Sequence, residues 1–511
     1  MQSIKNILFN RVVLISLSIL VQLLTIVIII WRFSNYFVVF DVIFTIISIF
    51  AVLYILNSRS DPAYKVAWII PIMLFPIFGG LFYLMVGGAG LSSRMKKNMS
   101  QITDKMKECL HQNQETLNFL QQDNNVAFNQ GKYIEKYTLC PLYNNSYTEF
   151  LPSGEEFFLQ LANELKKAEK FIFLEFFIIE EGVMWNTILD ILKDKAKKGV
   201  DVRVIYDDVG CMFKLPFRYN KKLEKMGIKC CVFNPFIPIV SIRLNNRDHR
   251  KIAVIDGKSA FTGGVNIADE YINKIERFGH WRDCGIKIKG DAVWSLTVMF
   301  LSMWTFLTKS REDYSKYMPP DKLNDNLGCC GFVQPFDDSP LDDEHVSEAV
   351  YLNLINQAEK YIYIETPYLI ADNKMMVALC LAAKRGVDVR ILTPHVPDKR
   401  YAFAVTQSSY EELLESGVSI YQYTPGFNHG KTFVVDDDYA VVGTINLDYR
   451  SLYLHFECGV WMYKTNSVAQ VKKSTLKALE VSEKITLEQV RSISKMKRIL
   501  RTILKIFAPM M

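Results

Sequence analysis

Residues 168–175 have the sequence AEKFIFLE, and residues 358–365 have the closely similar sequence AEKYIYIE. A second matched pair follows, with KGVDVRV at residues 198–204 and RGVDVRI at residues 385–391. Each copy is typical of an apolar strand, a helix with basic residues at its end, a Gly stop and another apolar strand. Strands that alternate with helices predict an α/β fold with a largely buried sheet. The repetition predicts two duplicated domains related by a pseudo-twofold.

A second repeated pattern carries polar residues that are suited to chemistry. In each copy, a His and a Lys two positions later precede an apolar run, an Asp, a Gly-containing turn and an Asn. These residues are His249, Lys251, Asp256, Gly263 and Asn266 in the first copy, and His429, Lys431, Asp436, Gly443 and Asn446 in the second. A single His-x-Lys arises readily by chance in a protein core. Two copies at identical offsets within a wider repeat favour a functional site.

The spacing of this pattern predicts a pocket for a phosphodiester. The apolar run after each Lys predicts a strand, so His and Lys point to the same face, and the turn brings the Asn back beside them. Two ammonium and two amide groups can hold the oxygens of a phosphate and the charge that develops on them. One imidazole can attack phosphorus while the other protonates the departing alcohol. Because the protein supplies the cations, no metal ion or other cofactor is expected.

The paired pattern resembles the HKD motifs of the phospholipase D superfamily, and the resemblance covers about residues 148–465. The sequence FGHWRD at residues 278–283 and the apolar N-terminus, including residues 68–87, are similar to bacterial cardiolipin synthases within that superfamily. This resemblance implies transfer of a phosphatidyl group from one phosphatidylglycerol to another through a phosphohistidine. The products would be cardiolipin and glycerol.

The resemblance also implies a role for each motif residue. His249 matches the nucleophile and His429 the general acid. The matched phosphate-binding groups are Lys251, Lys431, Asn266, Asn446 and, through its hydroxyl, Thr444. Gly264 stands where the first copy would need the equivalent hydroxyl, so that contact is not expected there.

Acidic residues complete the implied site. Glu457, which follows His429 by 28 residues, matches the acid that orients His429, and Asp283 is the corresponding candidate for His249. Asp256 and Asp436 belong to the catalytic motif. Their place at the far end of the strand favours a structural salt bridge or turn bond instead.

Arginines near the motifs are candidates for contacts with lipid headgroups. Arg243 and Arg247 follow the apolar, Pro-containing residues 233–240, which predicts an apolar wedge with cations for anionic headgroups. An ordinary surface loop is the alternative. Arg450 follows the second Asn and could bind the phosphate of the second lipid or form a structural pair. His280 and His455 lie near the motifs in sequence, but the sequence does not place their rings in the pocket.

The N-terminal residues are predicted to form a membrane region. Apolar runs of about membrane-spanning length cover residues 10–31, 37–57 and 67–87. The third contains Pro71 and Pro76, which fits either a kinked span or a re-entrant hairpin. Basic residues that follow residue 90 favour a cytoplasmic location for the rest of the chain. The predicted localisation is therefore multi-pass in the cell membrane.

The predicted organisation has six segments. They are a membrane region (1–90), a linker and helical segment (91–147), a first phospholipase D-like domain (148–308, motif 244–271), a connection (309–345), a second such domain (346–482, motif 424–451) and a basic amphipathic C-terminal helix (483–511). Basic and apolar residues alternate at helical spacing between Arg491 and Phe507, which suits an anionic membrane surface. The alternative is a helix that packs on the domain with a solvated basic face.

Lipid phosphatidyl transfer, with phosphatidylglycerol and anionic membrane lipid as partners, is the leading hypothesis. Phospholipase D-type hydrolysis remains open, because the choice between water and an alcohol depends on the shape of the pocket. A nuclease would have a basic groove with stacking aromatic side chains, which is not evident, so no nucleic-acid partner is expected. The intact motifs argue against an inactive membrane scaffold. The oligomeric state stays open.

Overall fold

A computed structural model describes residues 37–58, 61–75, 102–235, 246–319, 330–342 and 344–510, together with a few single positions before residue 85. The chain separates into two compact units. The smaller comprises residues 1–90, 234–246 and 506–510, and the larger comprises residues 91–233 and 247–505.

Among the described residues of the smaller unit are the helices α1 (Phe37–Asn57) and α2 (Pro62–Leu74). Asp61 caps α2 through its side chain, and Pro62 takes the first helical position, where a missing N–H is harmless. None of the helices within the described residues reaches both the length and the apolar character that a membrane crossing requires. The predicted span 10–31 and the second part of the span 67–87 lie largely outside the described residues.

The first half of the larger unit is built around one seven-stranded sheet with the order β1-β9-β7-β6-β2-β3-β4. Its strands, with two short ones outside this sheet, are β1 (Ser146–Leu151), β2 (Phe171–Phe176), β3 (Asp201–Asp207), β4 (Lys229–Phe233), β5 (Arg247–Asp248), β6 (Lys251–Ile255), β7 (Ser259–Gly263), β8 (His280–Arg282) and β9 (Gly285–Gly290). Its helices, with two that precede β1, are α3 (Gln114–Asp123), α4 (Asn125–Thr138), α5 (Gly154–Lys167), α6 (Val183–Lys197), α7 (Tyr219–Glu224) and α8 (Val293–Thr308).

The second half repeats this sheet in the order β10-β19-β17-β16-β11-β13-β14-β20. Its strands are β10 (Phe332–Asp338), β11 (Tyr361–Glu365), β12 (Leu369–Ile370), β13 (Asp388–Pro394), β14 (Ser419–Tyr423), β15 (Gly426–Asn428), β16 (Thr432–Val435), β17 (Tyr439–Gly443), β18 (Leu447–Asp448), β19 (His455–Tyr463) and β20 (Ser482–Lys484). Its helices are α9 (Val346–Gln357), α10 (Asn373–Lys384), α11 (Arg400–Ser408), α12 (Tyr410–Glu415), α13 (Tyr449–Tyr453), α14 (Asn466–Glu480), α15 (Leu487–Arg491) and α16 (Lys495–Ile506).

Seven strands of the second sheet correspond in order to the seven strands of the first, and β20 is added at its edge. The quoted repeats form β2 and β3 in the first half and β11 and β13 in the second, and each pair is parallel. The predicted α/β fold with duplicated domains is therefore confirmed. Strand β10 belongs to the second sheet, so this sheet begins within the segment predicted as a connection. The segment 483–511, predicted as one C-terminal helix, instead contains the end of β20, the short α15 and the helix α16 (Lys495–Ile506).

Helix α8 explains how the two halves share a core. It is apolar around most of its circumference, and nearly all of its side chains are buried. A helix of this kind has no polar face to turn to water, so it lies inside the molecule. Its core cluster includes Phe173 and Val254 of the first sheet with Val434 and Val460 of the second. Both sheets therefore bury apolar side chains in one continuous core.

Candidate active site

Short strands that cross between the halves position both motif histidines. Strand β5 runs parallel to the start of β19, with Arg247 opposite His455 and Asp248 opposite Phe456. In the same way, β15 runs parallel to β8, with Asn428 opposite Arg282. The next residues along these strands are the histidines and the candidate acids.

The backbone continues this register by one hydrogen bond at each histidine. The His249 N–H donates to the Phe456 carbonyl at 2.9 Å, and the His429 N–H donates to the Arg282 carbonyl at 2.7 Å. Each imidazole is thereby placed beside an acid of the opposite half: Glu457 within β19, or Asp283 directly after β8.

The acids therefore bind the histidines crosswise. Nδ1 of His249 lies 2.9 Å and 3.0 Å from the two carboxylate oxygens of Glu457. Nδ1 of His429 lies 2.6 Å from Oδ2 of Asp283. The sequence-based pairing of Glu457 with His429 and of Asp283 with His249 was wrong. It assumed that each copy is complete, whereas the strand pairing joins each histidine to the other copy.

All four of these side chains are buried, and their surroundings differ. Burial lowers the pKa of His249 and of His429 well below the ordinary value, and Lys251 and Lys431 lower both further. Three aromatic rings surround the ring of His429, with centroids 5.4–5.6 Å away: Tyr271, Trp281 and Phe427. Phe177 lies 5.1 Å from the ring of His249. Because a carboxylate holds each Nδ1, Nε2 is the nitrogen left for chemistry.

The two motif lysines lie beside both histidines. Nζ of Lys251 donates to the carbonyl of His249 at 2.6 Å, and Nζ of Lys431 donates to that of His429. Burial lowers the pKa of Lys251 to about 7 and that of Lys431 to about 8, against the raising effect of nearby carboxylates. A bound anion would raise the pKa of both lysines and so favour their charged ammonium forms.

The two asparagines are not equivalent. The Asn266 amide is occupied: its oxygen accepts from the N–H of Ile178 at 3.0 Å and its nitrogen donates to the hydroxyl of Tyr271 at 2.7 Å. Oδ1 of Asn446 is buried and has no hydrogen-bond partner among the described residues. Oδ1 of Asn446 is therefore an acceptor open to a donor such as a lipid hydroxyl, and a phosphate contact would have to come from its Nδ2.

Thr444 and Gly264 support the acids, which the sequence did not indicate. The hydroxyl of Thr444 donates to Glu457, so it holds the acid of His249 and is not free for the predicted phosphate contact. At Gly264, a Cβ atom would lie 2.0 Å from Oδ1 of Asp283. The missing side chain therefore makes room for the acid of His429.

The motif aspartates lie at turns outside the pocket. The Asp256 carboxylate accepts the backbone N–H groups of residues 169–171, and the Asp436 carboxylate accepts those of residues 359–361. Both residues have a φ of 53°, which Asp tolerates better than most residues. These contacts are the turn bonds that their position favoured, and a catalytic role for either aspartate stays a prediction.

The three arginines predicted to contact lipid headgroups differ in where they lie. Arg247 is buried, and its guanidinium lies 3.3 Å from Asp207, so an exposed headgroup contact was wrong for this residue. Arg450 is partly exposed on α13 and makes no ion pair among the described residues. Arg243 and most of the predicted wedge lie outside the described residues.

His455 and Lys399 also lie at the site. The ring of His455 is centred 5.6 Å from that of His249, and its Nδ1 lies 3.8 Å from Glu457. Ligand atoms of His249, His455 and Glu457 lie within 4.8 Å of one another, so these residues are the group that could hold a metal ion in the described part of the chain. Beyond burial and the motif lysines, Lys399 also lowers the pKa of both motif histidines. Neither residue lies within a repeated motif.

Comparison with known proteins agrees with this geometry. The family described as "Cardiolipin synthase, PLD-like domain" matches residues 161–296 and 351–477, and "Phospholipase D-nuclease N-terminal" matches residues 46–88. A cardiolipin synthase of Halalkalibacterium halodurans is 34% identical over 477 residues, which is 92% of this chain and 94% of the relative. The chain belongs to the cardiolipin synthase family. The two matched regions of that family contain each crosswise pair, His249 with Glu457 and His429 with Asp283.

Other relatives are consistent with family membership. An uncharacterised protein of Streptococcus mutans is 43% identical over 461 residues, covering 90% of this chain and 99% of the relative. The crystal structure of a phosphatidylserine synthase from Haemophilus influenzae superimposes with a TM-score of 0.57. It covers 74% of this chain and 97% of its own at 17% identity, so it shows the fold alone.

Proposed function

We propose that this chain is a cardiolipin synthase that transfers a phosphatidyl group between two phosphatidylglycerol molecules. Family membership supports the reaction. One observation supports the site: two imidazoles from different halves, each held at Nδ1 by a buried carboxylate, lie with two buried ammonium groups. A site with two imidazoles can supply a nucleophile and an acid at once.

In the first step, Nε2 of His249 attacks the phosphorus of one phosphatidylglycerol. A P–N bond forms and the P–O bond to the headgroup glycerol breaks. The bound phosphodiester anion offsets the two lysines and raises the pKa of His429, which then carries a proton. The departing oxygen takes this proton, so glycerol leaves as a neutral alcohol. Glu457 stabilises the positive charge that His249 acquires, because it accepts the Nδ1–H.

In the second step, a hydroxyl of another phosphatidylglycerol returns a proton to His429 and attacks the same phosphorus. The P–N bond breaks, cardiolipin forms and His249 is restored. Lys251 and Lys431 bind the non-bridging oxygens in both steps, and Asn446 adds an amide donor. One diester replaces another, so the exchange is reversible and needs no nucleotide.

We also propose that the N-terminal region anchors the chain in the cell membrane with its catalytic halves in the cytoplasm. The apolar runs of the sequence and the match of residues 46–88 support attachment. Large apolar side chains along α1 are exposed, among them Val42, Ile46, Ile49 and Leu53. A bilayer would supply the second lipid alcohol at a high effective concentration, so that it competes with water for the intermediate.

The products test the proposed reaction. The full chain, purified in detergent and supplied with phosphatidylglycerol and a chelator, should release glycerol and form cardiolipin in equal amounts. Phosphatidic acid as the main product would instead identify a phospholipase D-type hydrolase. Loss of activity with the chelator, restored by a metal ion, would contradict the metal-free mechanism.

Single substitutions test the shared site. His249→Ala and His429→Ala should each lower kcat by at least about 10⁴-fold, because neither imidazole can replace the other. A peptide that carries a phosphatidyl group, trapped by acid-free digestion, should contain residue 249. A variant that keeps substantial activity would contradict a single shared site, and a phosphatidyl group on residue 429 would reverse the two roles.

Labelling tests the proposed topology. Leu159 is exposed, and Leu159→Cys should react with an impermeant thiol reagent only after the cells are permeabilised. The unsubstituted chain controls for the native cysteines. Reaction in intact cells would place the catalytic halves outside.

A further inference from the structure

Helix α16 has an apolar face that the described structure leaves exposed. Met496, Ile499, Leu500 and Ile503 have the spacing i, i+3, i+4 and i+7, so they share one face. Their exposed fractions are 75%, 55%, 55% and 48%. No residue of α16 is buried. Four large apolar side chains at helical spacing, all in contact with water, are typical of a surface that another apolar medium covers.

The opposite face of α16 is cationic apart from Thr502. Its sequence KMKRILRTILKI carries five basic residues and no acidic one: Lys495, Lys497, Arg498, Arg501 and Lys505. A helix that separates charge from apolar side chains so completely is suited to the plane of a membrane interface. Pairing with α16 of a second copy would bring ten cations together, whereas an anionic bilayer would neutralise them.

Polar contacts attach α16 to the second half of the larger unit, and its apolar face stays exposed as far as the structure describes the chain. Just before it, Arg491 on α15 contacts Glu411 at 3.0 Å and also Glu415, both on α12. Within it, the Arg501 guanidinium donates to Gln407, in the last turn of α11. The helix is therefore held at the surface by its basic side.

Helix α11 connects this attachment to the active site. It contains nine residues, which corresponds to about 14 Å. Its first residue, Arg400, follows Lys399, the half-exposed cation that acts on both motif histidines. The apolar face of α16 thus lies about one short helix away from Lys399, a half-exposed cation.

We propose that α16 lies on the surface of an anionic phospholipid bilayer, with its apolar face inserted at the headgroup boundary, and thereby holds the side of the catalytic half that carries Lys399 close to the membrane. The membrane contact itself does not depend on the proposed reaction. The delivery of lipid to the pocket rests on the proposed function.

A fluorophore that reports polarity tests the contact in the full chain. It is attached at Leu500→Cys on the apolar face or at Thr502→Cys on the opposite face, and the unsubstituted chain gives the background from native cysteines. In vesicles that contain phosphatidylglycerol, emission from position 500 should shift to the blue, and emission from position 502 should not. Vesicles of phosphatidylcholine alone should give a smaller shift. Equal emission at both positions in anionic vesicles would overturn the proposal.

Activity in two media tests the consequence. Leu500→Gln/Ile503→Gln should lower cardiolipin formation in anionic vesicles by about tenfold and leave it unchanged in detergent micelles, which need no docking. The matched control is Val377→Gln/Leu381→Gln, which removes two equally exposed apolar side chains from α10. Equal losses in both media, or no loss in vesicles, would overturn the proposal. Absence of activity in the unsubstituted chain would contradict the proposed function, while the fluorescence result would still decide the contact.

Discussion

Gly264 and Thr444 occupy equivalent positions, two residues before Asn266 and Asn446. Each supports the acid that binds a motif histidine, but in a different way. Both backbone N–H groups donate to the residue after an acid, Cys284 in the first half and Cys458 in the second. The longer Glu457 is steadied by the Thr444 hydroxyl, and the shorter Asp283 occupies the space that a side chain at residue 264 would need.

This difference makes a prediction at residue 264. Gly264→Ala should displace Asp283 from His429 and lower kcat by about 100-fold, because the new Cβ would overlap the carboxylate. Gly131→Ala is the control, since its Cβ would meet other atoms at 3.4 Å or more. Steady-state rates and melting temperatures of both variants measure the effect. Full activity of Gly264→Ala would show that the position of Asp283 does not matter.

The buried lysines make a prediction about pH. A phosphate-binding ammonium must be protonated, and burial lowers the pKa of Lys251 to about 7 and that of Lys431 to about 8. Raising the pH through this range removes charge from the free enzyme, so kcat/KM should fall with an apparent pKa between these values. The fall in kcat should occur at higher pH, because a bound phosphodiester anion raises both pKa values. Initial rates in detergent micelles, measured across this range, would contradict the prediction if kcat/KM stayed constant.

At the scale of elements, the turns after β6 and β16 hold the repeated strands together. Asp256 at the end of β6 accepts three N–H groups at the start of β2, and Asp436 does the same between β16 and β11. The motif aspartate therefore stabilises the sheet at the end of the strand opposite to the pocket.

This role makes a prediction about stability. Asp256→Asn should lower the free energy of unfolding by about 2 kcal/mol, because one accepting oxygen becomes a donor that faces an N–H group. Asp436→Asn should have a smaller effect, since its turn is more exposed. The kcat of folded Asp256→Asn should stay within about threefold of the unsubstituted chain. Thermal denaturation and rates per folded molecule separate the two effects, and a large loss of kcat without a loss of stability would restore a catalytic role.

At the scale of the whole molecule, neither half contains a complete site. Each histidine comes from one half and its acid from the other. The strand pairs β5–β19 and β8–β15 align each histidine with the acid of the other half. The continuous core around α8 keeps the two sheets in the register that these short strands require.

Crosswise pairing makes a prediction that pairing within each half does not. Glu457→Gln should change the rate at which an acylating reagent modifies His249, because a neutral amide no longer polarises the ring. The rate at His429 should stay within about twofold. Asp283→Asn should give the converse result. Peptide mass spectrometry measures both rates in one sample, and a change at His429 on substitution of Glu457 would contradict the structure.

The sequence by itself determined the duplicated α/β fold, the two His-Lys pairs and the membership of Glu457 and Asp283 in the site. Strand periodicity and the spacing of motif residues within a copy are local properties, so they can be read from the repeated sequence. Only the tertiary structure decided which acid meets which histidine, that Thr444 and Gly264 serve the acids, and that His455 and Lys399 lie at the pocket. These relations depend on parallel pairing between short strands that are far apart in the chain, and no spacing within one copy encodes that pairing.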